Sequence, residues 1–208
     1  MWVNRLNIHI DEAYKHSDVL KNIILDNMPA QEKRHIDDLL GERQYVGFQF
    51  YTGKQSEYRN EFYYEDRRVW DEENVRSFLE LCQNNSMDVV ILTPHPYKGL
   101  SACLNLPKTT VYSYAYAISK LKFVVSIDSS AGHIASFYNI PSLTLWGNTS
   151  PLETMDNLTI GFRPLRNNFS IVSKSKSMKN IKGEYVYDVL HTLTQNRNVD
   201  GSVDTPHG

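Results

Sequence analysis

Three short apolar runs separated by helix-length segments do most to restrict what this chain can fold into. Asp88 to Thr93 reads DVVILT, Phe123 to Ile127 reads FVVSI and Ser142 to Trp146 reads SLTLW. Each has the length of a strand. The first two are apolar almost throughout, as expected of strands covered on both faces of a parallel sheet. An earlier β-type run, Tyr45 to Phe50, opens the series. Between the runs the period lengthens to that of a helix. Asp71 is placed to cap a helix whose Val75, Phe78, Leu79 and Cys82 fall at i, i+3, i+4 and i+7. Ser113 is placed to cap a second helix, Tyr114 to Lys120, and a short third one surrounds His133 to Tyr138. A last helix carries Val186, Val189, Leu190 and Leu193. Strands alternating with helices call for parallel pairing through right-handed crossovers. The expected fold is therefore α/β, a Rossmann-like parallel sheet with flanking helices.

The first forty residues follow another rhythm. Val19, Leu20, Ile23 and Ile24 form an apolar stripe at helical spacing that ends at Met28-Pro29. Pro29 can open a second helix carrying Ile36, Leu39 and Leu40, which Gly41 closes. With no strand of its own, this stretch reads as a helical arm or interdomain linker over residues 1–43. A Rossmann-like domain is expected over 44–195, and a polar, Asn/Asp-rich, disordered tail over 196–208. The stripe from 19 to 28 is a candidate surface for docking on a second chain, or for self-association through residues 17–40.

Composition removes several function classes. A net charge of −2 supplies no global field for nucleic acid. No apolar run approaches the roughly 20 residues that a membrane-crossing helix needs. Cys82 and Cys103 lie far apart, and no secretory signal is seen, so both read as thiols in a reducing compartment. On the same ground Asn84, Asn148, Asn157 and Asn168, which head Asn-x-Ser/Thr triplets, reflect an Asn- and Ser-rich composition rather than glycosylation. The expectation is a cytoplasmic domain without a transmembrane segment.

Parallel sheets bind ligands at the carboxyl ends of their strands, which directs attention to the loops after Phe50, Thr93, Ile127 and Trp146. The richest stretch is FVVSIDSSAGHIASFYNIPSLTLWGNTSP, Phe123 to Pro151. Its first strand ends in Asp128. The small residues Ser129, Ser130, Ala131 and Gly132 then let the backbone approach a ligand and lead into a helix near His133, whose N-terminal amides favour a phosphate. The next strand ends in a second small polar turn, Gly147-Asn148-Thr149. Plainer readings exist for single residues. Asp128 can cap its own turn, and His133 taken alone is a half-buried structural histidine. Ser129 and Ser130 lack the Gly-x-Ser-x-Gly elbow of a hydrolase. His95 sits between Pro94 and Pro96 in a rigid turn, and no ligand spacing joins it to Asp128 and His133 as a metal site. Lys54, Arg59, Arg67 and Arg68 alternate with Glu57, Glu61, Glu65 and Asp66, which suits a solvated loop with one or two basic residues facing the cleft. Trp70 and Trp146 read as packing residues.

Taken together, the stretch resembles the motif of glycosyltransferase family 9, the heptosyltransferases. In that family strand-Asp-[Ser/Thr]-Gly-x-x-His-[Leu/Ile]-Ala is followed by a Pro-led strand and Gly-x-Thr-x-Pro. The matching residues are Asp128, Ser129, His133, Ile134, Ala135, Pro141, Gly147, Thr149 and Pro151. Upstream, Arg68-Val69-Trp70 stands where Lys-x-Trp-Pro is usual, and Ser130 stands where a glycine is usual. The resemblance implies one half of a GT-B architecture, the C-terminal nucleotide-sugar-binding domain. It implies that amides around Ser129 to Ala131, with Gly132, hold the donor diphosphate, that Asp128 and His133 shape the loop, and that Gly147, Asn148 and Thr149 lie beside the nucleotide. Arg67 or Arg68 would neutralise the leaving diphosphate, and these two with His133 are the catalytic candidates. The implied donor is ADP-heptose or another nucleotide sugar, transferred with inversion and without a metal or other cofactor. The implied acceptor is a glycan or lipid-linked sugar of lipopolysaccharide or another surface glycan, reached at the periphery of the inner membrane. In the family the acceptor lies mostly on an N-terminal domain, of which residues 1–40 would match only the end. The alternative expectation is therefore a catalytically inactive binding or assembly module derived from the GT-B fold.

Overall fold

The computed structural model describes residues 17–50, 69–93, 103–107, 109–147, 152–155, 158–161 and 167–195. In chain order the helices are α1 (Ser17–Asn27), α2 (Ala30–Leu40), α3 (Glu72–Asn84), α4 (Val111–Ser119), α5 (Ser130–Phe137) and α6 (Gly183–Gln195). The strands are β1 (Val46–Gln49), β2 (Val89–Ile91), β3 (Leu104–Asn105), β4 (Phe123–Ile127), β5 (Ser142–Trp146), β6 (Leu152–Met155), β7 (Leu158–Gly161) and β8 (Asn168–Val172). Six of them pair in parallel in the order β3-β2-β1-β4-β5-β8. This is the strand order of dinucleotide-binding folds, in which the chain reverses its direction of growth between the first and fourth strands. The expected α/β sheet with flanking helices is the one observed. β6 and β7 form a separate antiparallel hairpin.

Alternation along each strand divides the core into two layers. Val46, Phe48 and Phe50 of the first strand, Phe123, Val125 and Ile127 of β4 and Leu143 and Leu145 of β5 face α3 and α6, where Val75, Phe78, Leu79, Val186 and Leu190 meet them. Val90 and Val124 face the other way, toward Ile36 and Leu40 of α2, Ile118 of α4 and Ala131 and Ala135 of α5. Cys82 is buried in the first layer, where loss of solvent pushes its thiol up to about 12.

The N-terminal helices belong to the second layer. Proline caps the start of α2, and Gly41 ends it at φ +54°, a conformation in which a side chain would clash with its own backbone. Ile36 and Leu40 are buried beneath α4. α1 lies against α4 and keeps Ile23 and Leu25 partly exposed. Among the described residues no helix is long and apolar enough to cross a membrane.

Two helix starts differ from the sequence expectation. Thr110, rather than Ser113, caps α4, accepting from the backbone amide of Ser113 at 3.3 Å. The helix therefore begins three residues earlier, at Val111. α5 begins at Ser130 rather than near His133, because Ser129 takes the extended N-cap conformation and the small residues after it continue as helix. Asp71 does occupy the N-cap of α3, but its carboxylate accepts from the Asn74 side chain at 3.4 Å and makes no bond to the first-turn amides.

α3 and α6 approach so closely that Gly183 has no room for a side chain. A Cβ there would stand 2.3 Å from the Asn74 carbonyl oxygen and 2.8 Å from the Phe78 nitrogen, both backbone atoms. Gly183→Ala is expected to destabilise the domain by about 3 kcal/mol through forced separation of the two helices. Urea unfolding checks this, and a midpoint equal to that of wild type would contradict the packing described.

Candidate functional site

The carboxyl edge of the sheet at the β1–β4 boundary carries a cluster built around Gln49. This residue ends β1 and is buried, on the face turned toward α4 and α5. Its Oε1 accepts from the Tyr114 hydroxyl of α4 at 2.9 Å and from the Ser129 hydroxyl at 2.9 Å. One carboxamide oxygen thus ties the turn after β4 to the helix that precedes β4. Burial pushes the Tyr114 hydroxyl well above the ordinary phenol range, so it stays protonated and remains a donor.

The bond to Gln49 changes what Ser129 can do for α5. A serine at the N-cap ordinarily accepts from a first-turn amide. Here the hydroxyl turns to Gln49, and Ser129 makes no side-chain capping bond. The first-turn amides of α5 have no acceptor within the helix and none in the Ser129 side chain, and they place the positive end of the helix dipole at the sheet edge. Ser130, which replaces the family's glycine, is the first residue of α5 and has no positive φ. The substitution therefore introduces no backbone strain.

Next to this turn lies a cavity of about 290 Å³, open on one side and lined by Gln49, Leu92, Thr93, Leu106, Pro107, Thr109, Thr110, Val111, Tyr114 and Ser130. It lies at the carboxyl ends of β1, β2 and β3, in front of α4. Among the described residues the walls are apolar with a few hydroxyls and one amide, which suits a planar neutral group.

Of the residues singled out in the sequence, the structure brings Asp128 and Ser129 into the turn that joins β4 to α5, and Ser130, Ala131, Gly132 and His133 into the first turn of α5. Ala131 and Gly132 are buried, whereas Asp128 and Ser129 are partly exposed and Ser130 and His133 lie at the surface. Crowding by the surrounding protein lowers the His133 pKa, and the Asp128 carboxylate opposes that shift. Gly147 follows β5, which pairs with β4, so its turn leaves the same edge one strand away. Asn148, Thr149, Arg67, Arg68 and His95 lie outside the described residues. Trp70 and Trp146 are both buried in the core, and Trp146 donates to the Ser170 hydroxyl at 3.2 Å.

Sequence reasoning missed Gln49, Tyr114 and the threonines of the cavity. The available signal was a polar residue closing an otherwise apolar strand at a ligand-binding edge. It also missed a polar row across the sheet beneath α5. In register, Gln49 pairs with Ser126, Ser126 with Thr144, and Thr144 with Ser170. Asn168 links the row by donating to Ser142 and Thr144, each at 2.9 Å. The Ser126 hydroxyl is buried with no hydrogen-bond partner among the described residues.

Comparison with known proteins bears on the family and the fold. The family model described as glycosyltransferase family 9 (heptosyltransferase) matches residues 25–190. Lipopolysaccharide heptosyltransferase 1 of Salmonella typhimurium is 24% identical over 135 residues, 61% of this chain and 40% of that protein. The protein of the same name from Escherichia coli is 25% identical over 95 residues, 41% of this chain and 30% of its own length. Among solved structures, E. coli heptosyltransferase WaaC with ADP superposes with a TM-score of 0.58 at 19% identity, covering 83% of this chain and 48% of that one. The family 9 glycosyltransferase of Veillonella parvula superposes with a TM-score of 0.62 at 11% identity, covering 82% and 53%. The chain spans about half the length of the solved relatives and less of the curated ones. The structural likenesses establish the shared fold, and because the family model runs from α1 through all six strands of the sheet into α6, the chain belongs to glycosyltransferase family 9 (heptosyltransferase).

Proposed function

We propose that this chain binds a nucleoside diphosphate sugar at the β1–β4 edge and serves as the donor-binding half of a heptosyltransferase-like enzyme. One observation carries the reading. A helix N-terminus that its own Ser129 leaves uncapped, because the hydroxyl goes to Gln49, stands beside a largely apolar cavity at the point where the sheet reverses its order. The diphosphate sits against the amides of Ser130, Ala131 and Gly132, with Ser130 adding a hydroxyl and Ser129 holding the turn through its bond to Gln49. The nucleoside enters the cavity against Leu92, Leu106 and Val111. Gly147, Asn148 and Thr149 close the site from the neighbouring strand, and Arg67 or Arg68 balances charge as the nucleotide leaves. His133 is neutral at pH 7, because its pKa lies below an already mildly acidic ordinary value. It therefore acts here as a hydrogen-bonding group of the loop.

The donor proposed is ADP-heptose. The membership in family 9 supports it, as does a relative of the same fold solved with ADP. The protein's contribution to transfer is to hold the donor in place and to stabilise the departing diphosphate. The acceptor is a glycan or lipid-linked sugar of a bacterial surface polymer.

Thermal unfolding with ADP, UDP, GDP and ADP-heptose tests the reading. A ligand at about 100 times its Kd adds about 2.7 kcal/mol, which for a domain of this size raises Tm by on the order of 5 to 10 °C. The expected result is a rise with ADP and ADP-heptose that exceeds the rise with UDP or GDP and is lost in Asp128→Ala. No rise with any of the four would refute the donor site.

A further inference from the structure

The wall of the cavity on its α4 side is held by a residue from the N-terminal helices. Glu32 of α2 reaches the N-terminus of α4, where its Oε2 accepts from the Thr110 hydroxyl at 2.9 Å, from the Thr110 amide at 3.5 Å and from the Ser113 hydroxyl. Ser113 is fully buried. Its hydroxyl first, then that of Thr110, hold the carboxylate below its ordinary range, so it is ionised at neutral pH. Pro107 and Thr109, which line the sheet-edge cavity, also line a second recess of about 240 Å³ bordered by Gln31, Glu32, His35 and Ile36. Pro107 and Thr109 thus each face two recesses, and Glu32 ties the neighbouring Thr110 to α2.

α2 is fixed to α4 without Glu32. Ile36 and Leu40 are buried in the shared core. Asp37 accepts from the Tyr116 hydroxyl at 2.7 Å and pairs with Lys33 at 2.8 Å and Lys120 at 3.7 Å. Removing the Glu32 carboxylate therefore unties Thr110 and Ser113 from α2 while the helix stays in place.

We propose that Glu32 is a positioning residue that sets the shape of the nucleoside cavity through Thr110 and Ser113. The proposal rests on the nucleotide-binding reading and adds that recognition of the nucleoside depends on α2. The diphosphate meets the turn after β4, which Glu32 does not touch, so the two halves of the ligand respond differently.

The test titrates ADP and inorganic pyrophosphate calorimetrically into the full chain, wild type, Glu32→Ala and Glu32→Gln, with far-UV circular dichroism confirming that each is folded. Amide hydrogen exchange is followed in parallel. In Glu32→Ala, ADP affinity is expected to fall by about fivefold or more while pyrophosphate affinity changes by less than about twofold. Glu32→Gln, which keeps an acceptor oxygen, is expected to fall between alanine and wild type. Exchange at residues 109–113 should quicken by about tenfold in Glu32→Ala with β4 and α5 unchanged. ADP binding equal to wild type, or equal losses for ADP and pyrophosphate, would overturn the proposal while leaving the donor site standing. A wild-type chain that binds no ADP would remove both.

Discussion

Trp70→Ala is expected to lower the melting temperature by on the order of 10 °C. The indole is 1% exposed. It meets the Phe48 ring edge-on at 5.8 Å between centroids and the Phe78 ring at 5.9 Å, and its Nε1 donates to the Ile181 carbonyl at 2.8 Å. Truncating a core tryptophan costs about 3 to 5 kcal/mol, and stranding the Ile181 carbonyl adds about 1 kcal/mol. At about 2 to 4 °C per kcal/mol for a domain this long, the total reaches that fall. Trp70→Phe, which refills part of the volume, should recover roughly half of it. Scanning calorimetry decides the matter, and a loss below about 3 °C would mean that the indole does not bridge the two elements. The position also matters for the site. The Trp70 backbone amide donates to the Phe50 carbonyl at 2.9 Å, just beyond β1, so this residue fixes the chain beside the sheet edge two positions after Arg68.

Gln49→Leu is the second large effect, and it separates binding from stability. The leucine keeps the volume but removes the one oxygen that serves both Tyr114 and Ser129. Two hydroxyls lose their acceptor, at a cost of about 2 to 3 kcal/mol. Ser129 then becomes able to cap α5, taking an amide that the phosphate would use, and ADP affinity is expected to fall by about tenfold or more. The triple variant Gln49→Leu/Tyr114→Phe/Ser129→Ala removes the donors as well. Its stability should lie closer to wild type than the sum of the single losses, because no polar group is left stranded. Strict additivity in urea unfolding would show that the oxygen is not shared.

The parts of the fold that were legible in the sequence are those whose signal is local. FVVSI and SLTLW are β4 and β5 with their ends as read, because a strand-length run rich in apolar residues between turn residues is a local signal. Pro29 and Gly41 bracket α2 because a fixed φ and a left-handed φ are properties of single residues. β3 escaped notice because two residues carry no period. β8 escaped because its burial is sparse at the sheet edge, with Ile171 buried and Val172 half exposed. The family motif was legible for the same local reason, since Asp128 to His133 are contiguous in the chain, from the turn after β4 into the first turn of α5.

The cluster at the centre of the site had no such signature. Gln49 lies 80 positions from Ser129 and 65 from Tyr114, and Glu32 lies 81 from Ser113. Each of these residues looks ordinary among its neighbours in the chain. By itself the sequence determined the apolar periods, the helix stops and the small-residue turn that offers amides to an anion. Only the tertiary structure decided which side chains share an oxygen at the sheet edge and which helix holds the cavity wall. The physical reason is that hydrophobic burial acts on every apolar residue wherever it lies, whereas a hydrogen bond forms only between groups that the strand order β3-β2-β1-β4-β5-β8 brings within about 3 Å.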